Sequence, residues 1–178
     1  MLELRQSGSV SWEGYTRHAF LFDQIGVTLQ LWMERAPDGD EIGVRAELQH
    51  LTVGNAGQHA SEFSAKVMTL SGPIWRADIF TLTTGEPGNF DRAHVHPRFD
   101  GSEPCDREWD PLLSTDPFAW LAGQLGDLPA LLTLAGAAEL ADSPDCARVA
   151  GMAAAIAEAA RLCMAQVREA VADVGATG

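Results

Sequence analysis

Residues 85 to 110 read GEPGNFDRAHVHPRFDGSEPCDREWD, a stretch that concentrates His, Asp, Glu, Arg and Cys in a loop-rich part of the chain. On an extended strand His94 and His96 project to one face together with Phe90 and Arg92, while Ala93 and Val95 project to the other. Two imidazoles about 7 Å apart on one face can share a metal ion when a carboxylate or third imidazole closes the set. Asp100, Glu103 and Asp106 follow closely enough to supply it, so His94, His96 and Asp100 are the candidate ligands for a divalent transition metal. His50 is a further candidate for the site, because it continues the face formed by Ile42, Val44, Ala46 and Leu48. In a metal-free version, His94 or His96 acts as general base or acid near neutral pH, with Asp91 or Asp100 orienting the ring. The plain structural alternative is a pair of partly exposed imidazoles hydrogen-bonded to nearby carboxylates.

Other polar groups fall around this pair. Arg76, Asp78 and Phe80 share one face of their strand, and Arg92 lies on the face of the two histidines. If the two strands are neighbours, Asp78 pairs with Arg92 beneath the imidazoles, giving either an anion-binding pocket or an ordinary cross-strand ion pair. Asp100, Glu103, Asp106, Glu108 and Asp110 make an acidic run without the alternating ligands and turn glycine of a calcium loop. Cys105 sits inside that run, where carboxylates raise a thiol pKa and disfavour a nucleophile. Cys146, near the start of the last helix, has no evident His partner and reads as a core or cap residue.

The histidine segment resembles the first metal-binding motif of the cupins, which runs Gly, five residues, His, one residue, His, three or four residues, Glu, six residues, Gly. Gly88, His94, His96 and Asp100 reproduce its opening, with Asp in place of Glu. The pattern then departs: no Gly lies six residues beyond Asp100, Pro97 interrupts a continuing strand, and no His follows His96. The resemblance implies a metal held by His94, His96 and Asp100, with the fourth ligand unassigned. A broader stretch, WRADIFTLTTGEPGNFDRAHVHPRFDG with WDPLLSTDPFAWLAGQLGDL, resembles a group of bacterial, mostly actinobacterial, hypothetical proteins with no established activity. It implies that residues 74 to 128 are a fixed part of one architecture.

The elements that must position these groups divide the chain in two. All 13 aromatic residues lie between Trp12 and Trp120. In that part, period-two alternation between turn residues predicts antiparallel strands. Val27, Leu29, Leu31 and Met33 alternate with Thr28, Gln30, Trp32 and Glu34, and the turn Ala36-Pro37-Asp38-Gly39-Asp40 leads into Ile42, Val44, Ala46 and Leu48. These two form a hairpin. Further strands are predicted over 15–23, 63–70, 74–83 and 90–96, making a meander of six or more, with Asn55-Ala56-Gly57 as a turn. Beyond Trp109 prolines at Asp116-Pro117, Leu128-Pro129 and Ser143-Pro144 mark three helix starts. The last helix carries Val149, Met152, Ile156, Cys163, Val167 and Val174 along one stripe. Its alanines suit packing on its own sheet or across the two-fold axis of a homodimer. The predicted fold is α+β: an antiparallel sheet over residues 1 to about 100, covered by helices over 114–174, in one domain spanning 1–178.

Composition limits what such a chain does. Its 178 residues, 46% hydrophobic and 21% charged, suit one soluble globular domain. Twelve basic against 25 acidic side chains give a net charge of -13, which argues against nucleic-acid and anionic-membrane partners. No apolar run has transmembrane length and the first residues have no apolar signal core, so the expected compartment is the cytoplasm. Three widely spaced cysteines form neither a disulfide framework nor a metal knuckle. Dinucleotide, phosphate-loop, serine-esterase and zinc-protease signatures are missing. Two readings of function remain. One is a small-molecule or metal site on His94 and His96, enzymatic or not. The other is a non-enzymatic acidic module that binds a protein partner and oligomerises through the last helix.

Overall fold

The computed structural model describes residues 12–55, 66–86 and 88–176. Strands β1 (Trp12–Leu21), β2 (Ile25–Ala36), β3 (Gly39–Asn55), β4 (Lys66–Leu82) and β5 (His94–His96) form one sheet in chain order. Every neighbouring pair is antiparallel, so the sheet is a meander. The β2–β3 hairpin closes at Ala36 and Gly39, where Gly39 adopts φ 137°, and its register sets Val27 opposite Leu48 and Leu29 opposite Ala46. That alternation sends Ile25, Val27, Leu29, Val44, Ala46, Leu48, Ala77 and Ile79 into the core on one face. The other face carries Trp32, Arg45, Asp78 and Phe80.

Two differences from the sequence expectations concern strand length. The segments expected as strands 63–70 and 74–83 are one 17-residue strand as far as described, and residues 63–65 lie outside the described residues, as do Ala56 and Gly57 of the expected turn. Ser71-Gly72-Pro73 is a bulge within β4: the pairing shifts on either side of the Gln49–Pro73 pair, and Gly72 takes φ 65°. The expected strand 90–96 is cut to three residues, because Ala93 N donates to Phe90 O at 3.0 Å and turns the chain. Phe90 therefore enters the core, edge-on to Phe118 at 5.7 Å, and does not share the histidine face. Beyond it, β6 (Phe99–Asp100) and β7 (Glu103–Pro104) form a separate small hairpin around Gly101 at φ 61°.

The helical layer comprises α1 (Pro111–Thr115), α2 (Pro117–Gly126), α3 (Leu128–Leu134) and α4 (Pro144–Ala176), with a short turn of 3-10 helix at Ala138–Leu140. The three proline-marked starts are α2, α3 and α4, and the same Asp-Pro device opens α1, where Asp110 caps Leu112 N at 2.8 Å. Leu121, Leu125, Leu128, Leu132, Val149, Ile156 and Cys163 are fully buried against the sheet's apolar face. Helix α4 runs 33 residues, about 50 Å at 1.5 Å per residue, and lies against α2, β2 and β3. Met152 turns away from its expected stripe and is exposed, and the side chain of Val174 lies outside the described residues. No described helix is long and apolar enough to cross a membrane.

Beyond Leu51 the β3–β4 pair continues without β2 beside it, as a two-stranded ribbon carrying exposed Val53, Val67 and Met68. At the same end of the body, helix and sheet are joined by one carboxylate. Asp145, in the first turn of α4 and fully buried, accepts from the backbone N–H groups of Asp23, Gln24 and Ile25 at 3.0, 2.7 and 3.2 Å. Arg148 bridges Asp145 and Asp23 from outside. Replacing Asp145 by Ala strips three donors of a charged acceptor, and the expected cost is about 3 kcal/mol. Urea unfolding checks this as a lower midpoint at unchanged slope. A loss within about 0.5 kcal/mol would mean that water replaces the carboxylate freely.

Candidate metal centre

β5 pairs with β4 so that Asp78 stands opposite His94 and Arg76 opposite His96. All four side chains emerge from the face away from the helices. Strand alternation thus brings both imidazoles over the Asp78 carboxylate: His94 Nε2 lies 3.3 Å and His96 Nε2 3.8 Å from Oδ2. The three ligand atoms all fall within 4.8 Å of one another, and all three residues are buried. The ring centroids are 5.1 Å apart and nearly perpendicular, at 76°.

Each ring is held by its other nitrogen. His94 Nδ1 bonds the Arg92 carbonyl at 2.9 Å and His96 Nδ1 bonds the Cys105 carbonyl at 2.7 Å. A carbonyl only accepts, so both Nδ1 atoms carry the proton and donate. Both Nε2 atoms are buried without a hydrogen-bond partner. The β6–β7 hairpin is what brings Cys105 to His96, since Cys105 N donates to Arg98 O at 3.0 Å across its base. His94 is packed by the Phe80 edge at 6.2 Å and by Trp109 at 6.2 Å. Gly43 lies opposite Phe80, and any Cβ there would collide with the Phe80 ring and the Ile79 carbonyl.

Asp78 is fixed from the β3 side as well. Arg45 Nε donates to Oδ1 at 2.7 Å and its Nη2 to Oδ2 at 3.2 Å, with the guanidinium 3.8 Å above the Trp32 ring. Arg76 Nε stands 3.2 Å from Oδ2. Burial by itself pushes the Asp78 carboxyl up, but the neighbouring groups, the Arg45 and Arg76 guanidiniums among them, outweigh it and hold the pKa far below the usual carboxylate range. Burial lowers the His96 pKa, more than its bond to the Cys105 carbonyl raises it, so that imidazole is neutral at pH 7 with its Nε2 lone pair available.

The structure brings His94, His96, Asp78 and Arg76 together and leaves the other candidates apart. Asp100 is exposed in β6 and is not in the group that could hold an ion. Asp91 is exposed in the turn before β5. Arg92, expected beside Asp78, is drawn off by that turn to Asp38 and lies 3.7 Å from Glu41. His50 sits at the far end of β3 in a cleft with Gly72, Pro73 and Ala137. Arg45 is the member of the cluster that the sequence reading did not name. Its signal was the alternation of β3, the strand next to Asp78. Cys105 contributes its carbonyl, and Cys146 is a buried thiol bonded to the Leu140 and Ala141 carbonyls. No protein-family model, curated protein or solved structure matches this chain.

Replacing Asp78 by Asn leaves Arg45 without its buried counter-charge, and the expected destabilisation at pH 7 is about 3 kcal/mol. Because the folded carboxyl titrates below the unfolded one, its contribution is complete above the unfolded pKa and is lost as pH falls toward the folded value. The gap between the native chain and Asp78→Asn, measured by denaturant unfolding, should therefore narrow below about pH 4. A gap that widens on acidification would contradict the assignment.

Proposed function

We propose that this chain is a metal-binding protein whose centre, formed by His94 Nε2, His96 Nε2 and Asp78 Oδ2, takes a divalent transition metal ion of the zinc type. The observation that carries the reading is the pair of buried Nε2 atoms. Both lack a hydrogen-bond partner, and both are aimed at one ionised carboxylate because both Nδ1–H groups are spent on backbone carbonyls. That anchoring is how ligating histidines are usually oriented. Atoms around a tetrahedral ion with bonds of about 2.0–2.1 Å stand about 3.3 Å apart, and the Asp78–His94 separation is 3.3 Å.

Two imidazoles with one carboxylate favour zinc-like ions over calcium or magnesium, which prefer sets of oxygens. The guanidiniums of Arg45 and Arg76 oppose any cation here and weaken the affinity that the three ligands alone would give. The ligands are buried, and neither the cleft beside His50 nor the cleft beside Trp120 is lined by any of them. This favours an ion that ties β4 to β5, with its fourth position left to a small exogenous ligand.

Elemental analysis of untagged protein should find metal approaching one equivalent, and Co²⁺ added to stripped protein should give the visible bands of a tetrahedral site. His94→Gln and His96→Gln should each weaken Co²⁺ binding at least tenfold with circular dichroism unchanged, and bound metal should raise the melting temperature. Failure to bind Co²⁺ or Zn²⁺, or binding indifferent to both substitutions, would overturn the proposal.

A further inference from the structure

On the helix side of β5, behind the histidines, lies a second feature: an open cleft of about 430 Å³ between the edge of the sheet and helices α1 to α3. Three of the chain's 5 tryptophans converge on it. Trp75 and Trp120 stack at 5.9 Å and 22°, forming its floor. Trp109 and Leu134, which also line it, are 63% and 72% exposed. Large apolar side chains so open to water, gathered around one concavity, mark a surface that binds something.

The polar groups decide the sign of the ligand. Glu108 and Asp110 stand among the lining residues, which include no Lys, Arg or His. Asp110 is locked in place: one oxygen accepts from Leu112 N at 2.8 Å and the other from Trp120 Nε1 at 2.7 Å. Glu108 has its backbone pinned by two bonds to Val95, both 2.9 Å, while its side chain is exposed and makes no ion pair among the described residues. Its main chain is thus fixed beside the cleft, and its carboxylate is open to solvent with no counter-charge among the described residues. An anionic ligand would meet two carboxylates on a chain of net charge -13. A hydrated inorganic cation would gain little from indole walls. A cation whose charge is sheathed in methyl groups is favoured by both parts of the lining, the aromatic rings and the acidic rim.

We infer that this cleft is a binding site for a small quaternary ammonium ion, held by the indoles of Trp109 and Trp120 and by the Glu108 carboxylate. The site is separate from the metal centre. Trp109 adjoins both: its ring centroid lies 6.2 Å from that of His94, and the residue is among those lining the cleft.

Choline chloride is the probe, titrated against intrinsic tryptophan fluorescence at constant ionic strength. Its neutral carbon isostere, in which a tert-butyl group replaces trimethylammonium, is the control. Choline should give a saturable change, and the isostere should bind about tenfold more weakly or not at all. Glu108→Gln and Trp109→Ala, both at exposed positions, should each reduce choline affinity about fivefold or more while leaving the melting temperature within a few degrees. His96→Gln, which removes a proposed metal ligand, should leave choline affinity unchanged, which separates this test from that of the metal. Equal binding of choline and the isostere would overturn the inference and point to an apolar groove without charge selection. Absence of a saturable response, or a response indifferent to Glu108→Gln, would also overturn it.

Discussion

The constraint on which the outer face depends is the negative charge of Asp78, placed on a central strand and 1% exposed. A carboxylate there is tolerable only if cations or hydrogen-bond donors surround it. The guanidiniums of Arg45, from β3, and Arg76, from Asp78's own strand, supply them, while His94 and His96 close over the carboxylate from β5. Trp32, Phe80 and Trp109 then shield these groups, and Gly43 gives way to the Phe80 ring. The polar cluster is therefore organised outward from one carboxylate. Its geometry follows from sheet register more than from any loop.

The two faces of the sheet do different work. One is sealed by a continuous apolar layer of Leu, Val, Ile and Ala from α2, α3 and α4, which gives the molecule its cohesion. The other concentrates charge and aromatic rings. Asp145 joins the sealed side to the sheet without touching the polar side, by gathering three main-chain donors of the β1–β2 turn. A stable helical layer thus leaves the outer surface available for chemistry that would be too costly inside the core.

Much of this arrangement could be read from residue order. Period-two alternation placed the β2–β3 hairpin, and the same rule put His94 beside His96 and put Asp78 beside Arg76. Proline at the first turn marks the starts of α2, α3 and α4, and Asp110-Pro111 carries the same signal for the five-residue α1. What alternation could not give was the offset between strands. The offset of β5 against β4 depends on the turn at Phe90–Ala93, which carries no glycine and no strong turn pair. That turn sends Phe90 inward and Arg92 toward Asp38, so Arg92 is not the partner of Asp78. Gly72-Pro73 misled in the opposite sense, because a dipeptide that usually ends strands is here absorbed as a bulge. The role of Asp145 was hidden for a different reason: its partners lie more than a hundred residues earlier in the chain.

The bulge at Gly72-Pro73 also separates two regimes along β4. On one side the strand lies within the full sheet and carries Asp78. On the other, the ribbon beyond Leu51 is laddered only to itself. Rungs added to or removed from that outer segment leave the spacing of Arg45, Asp78 and His94 unaltered. Residues inserted or deleted in pairs at the ribbon's outer end would therefore change its reach into solvent without shifting the register that assembles the carboxylate and its neighbours.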